Sequence, residues 1–513
     1  MRTALVLLFL LALAAVPGSV LPQRSVTVED VAAFARTHPR LAVWLDRVWA
    51  FDVFTSPWFA AIYLLLFTSL VGCILPRAAA HWRALRAAPP PAPRNLARLP
   101  AHAPPTAVAG APEEVAAAAR AGLRRRRWRT ATARDPDGGW TVSAEKGHLK
   151  ETGNLLFHTA LIAVLAGVAV GSWYGWHGNR LVVAGDEYGF CNTVAQYDEF
   201  SAGPRVDAAA LPPFCLSLTA FEARFHDSGQ ADTFRATLAV DGAGAGAGGA
   251  PRTASVRVNH PLRLTGATAY LLGHGYAPVL RYTDRYGRAQ TTAAPFLTVD
   301  GMSTSEGAAK FHDANVDPRT GARDPKAQVA FEGLYLPTVP DRPPFTRSVF
   351  PDERNPGVML WAYRGNLGED VGIPGSVYRI DRAVVASGAL KQVGEPKLLR
   401  PGQAWRLDDG TTVEFLGTRR WVTVSVRDDP GQVAVLAGVA VLLLGLMGSL
   451  FGRRRRVFLR VAAADGVTRV EAGGLPRTDY PGFAEEFAQV VTAATGAAGG
   501  PPETGRGARG GAR

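Results

Sequence analysis

The sequence predicts a multi-pass membrane protein: four transmembrane α-helices, a large extracytoplasmic all-β domain and a small cytoplasmic α+β portion. Three observations carry this. Apolar runs almost free of charge recur four times. Clusters of Lys and Arg follow the second and fourth runs and precede the third. The longest interval between runs is filled with short alternating, β-branched and aromatic stretches. A helix needs about 20 apolar residues to cross a bilayer.

The first span, over 1–20, rests on Leu5 to Val16 (LVLLFLLALAAV), which reaches crossing length with PGSV beyond it. Arg2 and the small residues Ala14 and Ala15 also fit a cleaved signal peptide. Pro17 and Gly18 are expected to break the helix without a clean cleavage site, which favours a retained span. The second span covers 57–75, around Trp58 to Leu75. Residues 76–153 follow as a connecting segment. Pro89 to Pro93 is a stiff linker, and Pro112 to Arg127 reads as a helix opened by Glu113 and Glu114. RWRTATAR and WTVSAEK form a hairpin turned at Asp137-Gly138-Gly139. The third span is 154–174.

Residues 175–430 hold runs such as FCLSLTAFEARF, ASVRVNHPLRL, VAFEGLYL, GVMLWAYRG and WVTVSV, separated by turns. Many short strands so spaced read as an antiparallel sandwich or open barrel. The Gly/Ala tract 242–249 reads as a flexible loop tip; no Gly-Lys-Ser/Thr follows to make it a phosphate loop. The fourth span is 433–451. Over 452–513, RVFLRVAA and VTRVEAG precede a helix from Pro481, then a Gly/Pro/Arg-rich tail read as disordered. This ββα piece and the earlier αββ piece are expected to complete one small α+β domain.

Basic residues orient the chain. Arg453 to Arg456 follow the last span, Arg77, Arg83 and Arg86 follow the second, and Lys146 and Lys150 precede the third. Such clusters stay in the cytoplasm. Both termini, 76–153 and 452–513 are therefore expected inside, and 175–430 outside. The net charge of +12 needs no nucleic acid: it reads as topological signal and attraction to anionic lipid.

Several chemistries find no motif: there is no Gly-x-Ser-x-Gly, His-Glu-x-x-His, Walker loop or Cys-x-x-Cys-His. His158 stands out instead. It lies within NLLFHTALIAVLAGVAVGSW, where an ionisable side chain is costly and marks a ligand, ion or proton site. The spans hold no acids for a proton relay. His158 lies about 6 Å inside the span's cytoplasmic end, beside a ridge of small residues, Thr159, Ala163, Gly167, Gly171 and Gly175. Such a ridge lets another helix approach, and a planar cofactor could be held there with imidazole as axial ligand. The bland alternative is a packing histidine hydrogen-bonded to a neighbour. His81 and His102 read as solvated, and His148 as an ordinary residue near the inner surface. Cys191 and Cys215, both outside, read as a structural disulfide, with redox-active thiols as the alternative. Cys73 reads as an inert apolar residue.

The order of elements resembles the ResB (Ccs-type) family of membrane proteins, system II of cytochrome c biogenesis. The resemblance runs through PGSVLPQ, FDVFTSPWFAAIYLLLFTSLVGCILPR, AEKGHLKETGNLLFHTALIAVLAGVAVGSWYGW, GDEYGFCNTVAQYDEF and VNHPLRLTGATAYLLGHGY. It implies a non-catalytic subunit of a haem exporter and cytochrome c synthetase in the cell membrane. The expected partners are a multi-span ResC/CcsA-type protein with a tryptophan-rich motif, apocytochrome c and the lipid bilayer. It further implies haem b, held transiently and non-covalently, with the third-span histidine, here His158, as an axial ligand of the haem iron. Two competing readings are a membrane-anchored scaffold presenting a protein-binding β domain, and a thiol-redox component using Cys191 and Cys215.

Overall fold

A computed structural model describes residues 2–24, 28–186, 189–242, 251–369, 376–477 and 480–496. The Gly/Ala tract from 243 onward and the tail beyond 496 lie outside the described residues. The chain divides into two compact units, 1–169 with 431–513, and 170–430.

In the first unit, α1 (Arg2–Val20) runs straight through Pro17 and Gly18, against the expected break. The reason is local packing. The turn Val53–Thr55 closes on Gly18, where a Cβ would stand 2.8 Å from the Phe54 ring. Two short helices that the sequence reading did not anticipate, α2 (Val28–Thr37) and α3 (Pro39–Arg47), form a small cluster on Val31, Ala42 and Phe51. Helix α4 (Pro57–Arg86) continues past the expected end at 75, through Pro76. RAAAHWRALR is rich in strong helix formers, and its last carbonyls are capped from outside. The Arg129 guanidinium donates to the carbonyls of Ala84, Leu85 and Ala87 (3.3, 2.8 and 2.5 Å). After α5 (Pro112–Arg125), helix α6 (Leu149–Tyr174) starts five residues earlier than expected.

Helices α4, α6 and α8 (Gln432–Phe451) are long and apolar enough to cross a membrane, whereas Leu5–Val20 of α1 is shorter. Their apolar side chains remain largely exposed, among them Leu64, Leu65, Val168, Leu436 and Leu444. The chain thus associates with a membrane. Helix α6 packs on α8 through Gly153, Ala160 and Gly167 against Gly438 and Gly445, all buried. The expected every-fourth ridge is corrected here, since Thr159 and Ala163 are exposed. Steps of four drift about 40° each around a helix with 3.6 residues per turn, whereas steps of seven stay on one face.

The αββ and ββα pieces meet in one five-stranded antiparallel sheet. Its order is Ala101–Val108, Val467–Pro476, Arg455–Ala464, Trp140–Lys146, Arg129–Arg134. Helices α5 and α9 (Phe483–Gly496) cover it over Val115, Leu123, Val142, Leu459 and Phe487. The first strand went unread because it holds Pro104 and Pro105. Prolines are tolerated there because the strand is an edge, and its register shifts between Ala103 and Thr106. The basic cluster after α8 also makes ion pairs within this domain. Arg454 pairs with Glu145 and Glu151, Arg455 with Glu486, and Arg456 with Glu145.

The second unit is β-rich: among the described residues it has three antiparallel sheets rather than one sandwich or barrel, and one short α-helix, α7 (Arg382–Ala386). Two 17-residue strands, Ala267–Thr283 and Thr412–Asp428, pair along their length at the centre of the seven-stranded sheet. Their length lets one sheet serve two cores. Ala269, Val422, Val424 and Val426 pack with Leu216 and Leu238 of the four-stranded sheet. Further along, Tyr276, Leu280, Tyr282 and Phe415 pack with Phe331 and Leu360 of the five-stranded sheet. Register shifts at Leu271/Gly273 and Val279/Leu280 bend the long strand between the two.

Candidate functional site

His158 sits half-buried on α6, its ring edge-on to Phe157 at 5.2 Å. Its Nδ1 lies 2.7 Å from the carbonyl oxygen of Asn154, one turn earlier. A carbonyl only accepts, so Nδ1 carries the proton and the neutral ring leaves its lone pair on Nε2. This local bond fixes ring orientation in the manner of a metal-ligating histidine. Among the described residues His158 makes no side-chain hydrogen bond to another helix; its bond to Asn154 suits the packing alternative as well as the ligand one. Nearby, the Tyr63 hydroxyl of α4 donates to the Leu165 carbonyl of α6 (2.6 Å), holding the two helices together.

A cavity of about 540 Å³ opens at this end of the helices, lined by α4, α6, α8 and the segments that follow. Arg77, Lys150, Arg454 and Arg477 give its wall a basic character, with Glu151 as the acid among them. Asn154 and Leu155 also line it. Glu151, Asn154, Leu155 and His158 are spaced i, i+3, i+4, i+7, so they share one stripe of α6. His158 is thus one turn beyond the cavity wall on the same face. An anionic, flat ligand fits such a donor set: cations for its carboxylates and an imidazole nitrogen for its metal. The sequence signalled only the histidine. The basic wall draws on residues about 400 positions apart, Arg77 and Arg477, so no local motif announces it.

The solvated reading of His81 is corrected: its side chain is 9 % exposed, on the turns by which α4 overruns its expected end. His148 is equally enclosed, at 10 %. Of the histidines in the β-rich unit, His274 stacks on Phe221 and Phe234, and burial pushes its pKa down to about 4, marking a packed neutral ring. Cys191 and Cys215 are directly opposed on paired strands, Cα–Cα 3.9 Å, with their sulfurs bonded, and Cys73 is free.

The ResB-like family model matches residues 1–488. The chain belongs to the ResB-like family. The cytochrome c biogenesis protein CcsB of Synechococcus sp. strain RCC307 is 28% identical over 518 residues, covering 97% of this chain and 96% of that protein. The protein of the same name from Synechococcus sp. strain WH7803 is 25% identical, covering 96% and 95%. The CcsB of Gloeobacter violaceus is 26% identical over 285 residues, about half of each chain (53% and 54%). In this ResB-like chain the match takes in the three long apolar helices, the β-rich unit and most of the small sheet domain.

Proposed function

We propose that the chain is the haem-handling subunit of a membrane haem exporter and cytochrome c synthetase, required for covalent attachment of haem to apocytochrome c outside the membrane. The observation that carries this reading is the Nδ1–Asn154 bond, which puts the lone pair of the neutral His158 ring on Nε2 inside an apolar span. Haem, as cargo, brings an iron with two axial positions and anionic carboxylates. His158 fills one position, and a histidine of a multi-span partner with a tryptophan-rich loop fills the other. The basic cavity wall attracts the carboxylates from the cytoplasmic side, and Asn154 keeps the imidazole in the tautomer that ligation requires.

Four spans, with 76–153 and 452–513 inside and 175–430 outside, complete the proposal. One hydrogen-bonded sheet cannot straddle a bilayer. Its strands Trp140–Lys146 and Arg455–Ala464 therefore share a side, and α6 and α8 are the two crossings between them.

Co-expression with the partner and purification test the haem assignment. His158→Ala is expected to lose the haem spectrum and cytochrome c maturation while the chain stays in the membrane, with added imidazole restoring part of both. His158→Gln separates ligation from packing, because an amide replaces a hydrogen bond but is a poor iron ligand. Full haem and normal cytochrome c in that variant would overturn the assignment. The sidedness and the disulfide share a test. On intact cells a membrane-impermeant maleimide is expected to label Cys191 and Cys215 only after reduction. Labelling without reductant favours the thiol-redox reading, and none after reduction places the β-rich unit inside.

A further inference from the structure

Beside the His158 stripe, three donors converge where α4 ends and α6 begins. His81, His148 and Glu151 each offer one ligand atom, all within 4.8 Å of one another. The surrounding hydrogen bonds fix where protons sit. The Thr152 hydroxyl donates to the His148 carbonyl (3.1 Å), so towards His81 it accepts, and His81 Nε2 is the donor at 2.9 Å. His81 Nδ1 then carries a lone pair, and it faces Glu151 Oε2 at 3.4 Å without a hydrogen bond. The other carboxylate oxygen of Glu151 accepts from Arg454. With His81 neutral, two acceptors face each other, a contact that a bound cation or a second proton on the imidazole relieves.

His148 repeats the pattern. Its Nδ1 is buried and has no partner among the described residues. Its Nε2 faces the buried Glu145 carboxylate at 3.3 Å, and a proton on Nε2 for that pairing leaves the lone pair on Nδ1. Arg129, which only donates, lies 3.0 Å from the same Nε2 and competes for it; a metal on Nδ1 requires the tautomer in which Nε2 donates to Glu145 and Arg129 keeps to the carbonyls at the end of α4. Burial holds the His148 pKa below its usual value.

We propose that His81, His148 and Glu151 form a binding site for a divalent transition-metal ion, separate from His158. Two imidazoles and one carboxylate are a donor set that suits zinc or ferrous iron and leaves coordination positions open. Glu145 stands behind His148 as the carboxylate that orients a ligating imidazole. The cavity lined by His81 and Glu151 supplies the entry path and room for a further ligand. The guanidinium groups of Arg129 and Arg454 limit the affinity by repulsion. A bound ion ties the end of α4 to the start of α6.

The test uses the full chain, untagged, in detergent after treatment with chelator, titrated with Co²⁺ and then Zn²⁺. One Co²⁺ per chain is expected, with ligand-field bands in the visible that an equimolar amount of Zn²⁺ removes. Glu151→Gln and His148→Ala are expected to weaken binding by about 10-fold or more, and His158→Ala to leave it unchanged. Absence of a stoichiometric ion on the wild-type chain overturns the proposal, as does binding that neither substitution weakens. Should His148→Ala fail to fold, the wild-type titration and Glu151→Gln still decide, because the Glu151 side chain is 42 % exposed and tolerates the change.

Discussion

Gly445→Leu is expected to drive α6 and α8 apart and to strip the membrane of most of the chain. A Cβ at position 445 would stand 2.5 Å from the Phe157 backbone nitrogen and 2.9 Å from the Gly153 carbonyl oxygen. Both are backbone atoms, so no change of rotamer relieves the clash. Overpacking costs about 1–3 kcal/mol, occasionally more. Within a bilayer no hydrophobic drive restores the contact, because lipid is as apolar as the neighbouring helix. Phe157 adjoins His158, so the displacement also moves the imidazole. Immunoblotting of membranes should show the chain reduced several-fold, with the remainder failing to retain haem when purified with its partner. Gly72→Leu on α4, where a Cβ meets nothing within 4 Å, should change neither. Equal behaviour of the two variants would mean that the close approach of α6 and α8 is dispensable.

Glu145→Gln should destabilise the small sheet domain by about 3–5 kcal/mol, the range for removing one partner of a buried ion pair. The Glu145 side chain is 4 % exposed, and it accepts from Arg454 at 2.7 and 2.9 Å and from Arg456 at 3.0 Å. Removing its charge leaves the Arg454 side chain, 11 % exposed, with only Glu151. Hydrogen exchange of amides in the strands Trp140–Lys146 and Arg455–Ala464 reads the loss. The pH dependence follows from the same group. Burial raises the Glu145 pKa, but the hydrogen bonds and charges of Arg454, with Arg456 and His148, bring it below the usual carboxylate value. A depressed folded-state pKa gives stability that is fully present above the unfolded pKa and lost as pH falls through the folded one. The wild type should therefore lose melting temperature on acidification below the usual carboxylate range. That part of the loss should be missing from the Gln variant; an identical acid profile in both would remove Glu145 from the account.

Much of this was legible in the sequence, for physical reasons. An uninterrupted apolar run announces a spanning helix, because each residue in it answers to the same solvent. Strand alternation announced the β-rich unit, because one face of each strand meets a core. What the sequence hid depends on long-range partners. The overrun of α4 through Pro76 depends on Arg129 capping its carbonyls. The strand Ala101–Val108 exists despite its prolines because only one of its edges needs pairing. His81 read as solvated because it lies in a basic stretch between Arg77 and Arg83, while Glu151 and Thr152, which close over it, lie on α6. At the His158 site, the histidine was visible as an anomaly in its own span. The basic wall was not, since its residues come from three separate segments.

The strand Arg455–Ala464 lies between Trp140–Lys146 and Val467–Pro476. That order has a consequence for biosynthesis. The ribosome completes Glu145 309 residues before Arg454, its partner across the sheet. Through all of that synthesis the Trp140–Lys146 strand waits with an open edge. Open edges recruit other chains or proteases. A nascent chain that stops early, or that threads α8 the wrong way, can never close the sheet. Closure is thus a built-in inspection, in which the last portion made completes a sheet begun more than 309 residues earlier.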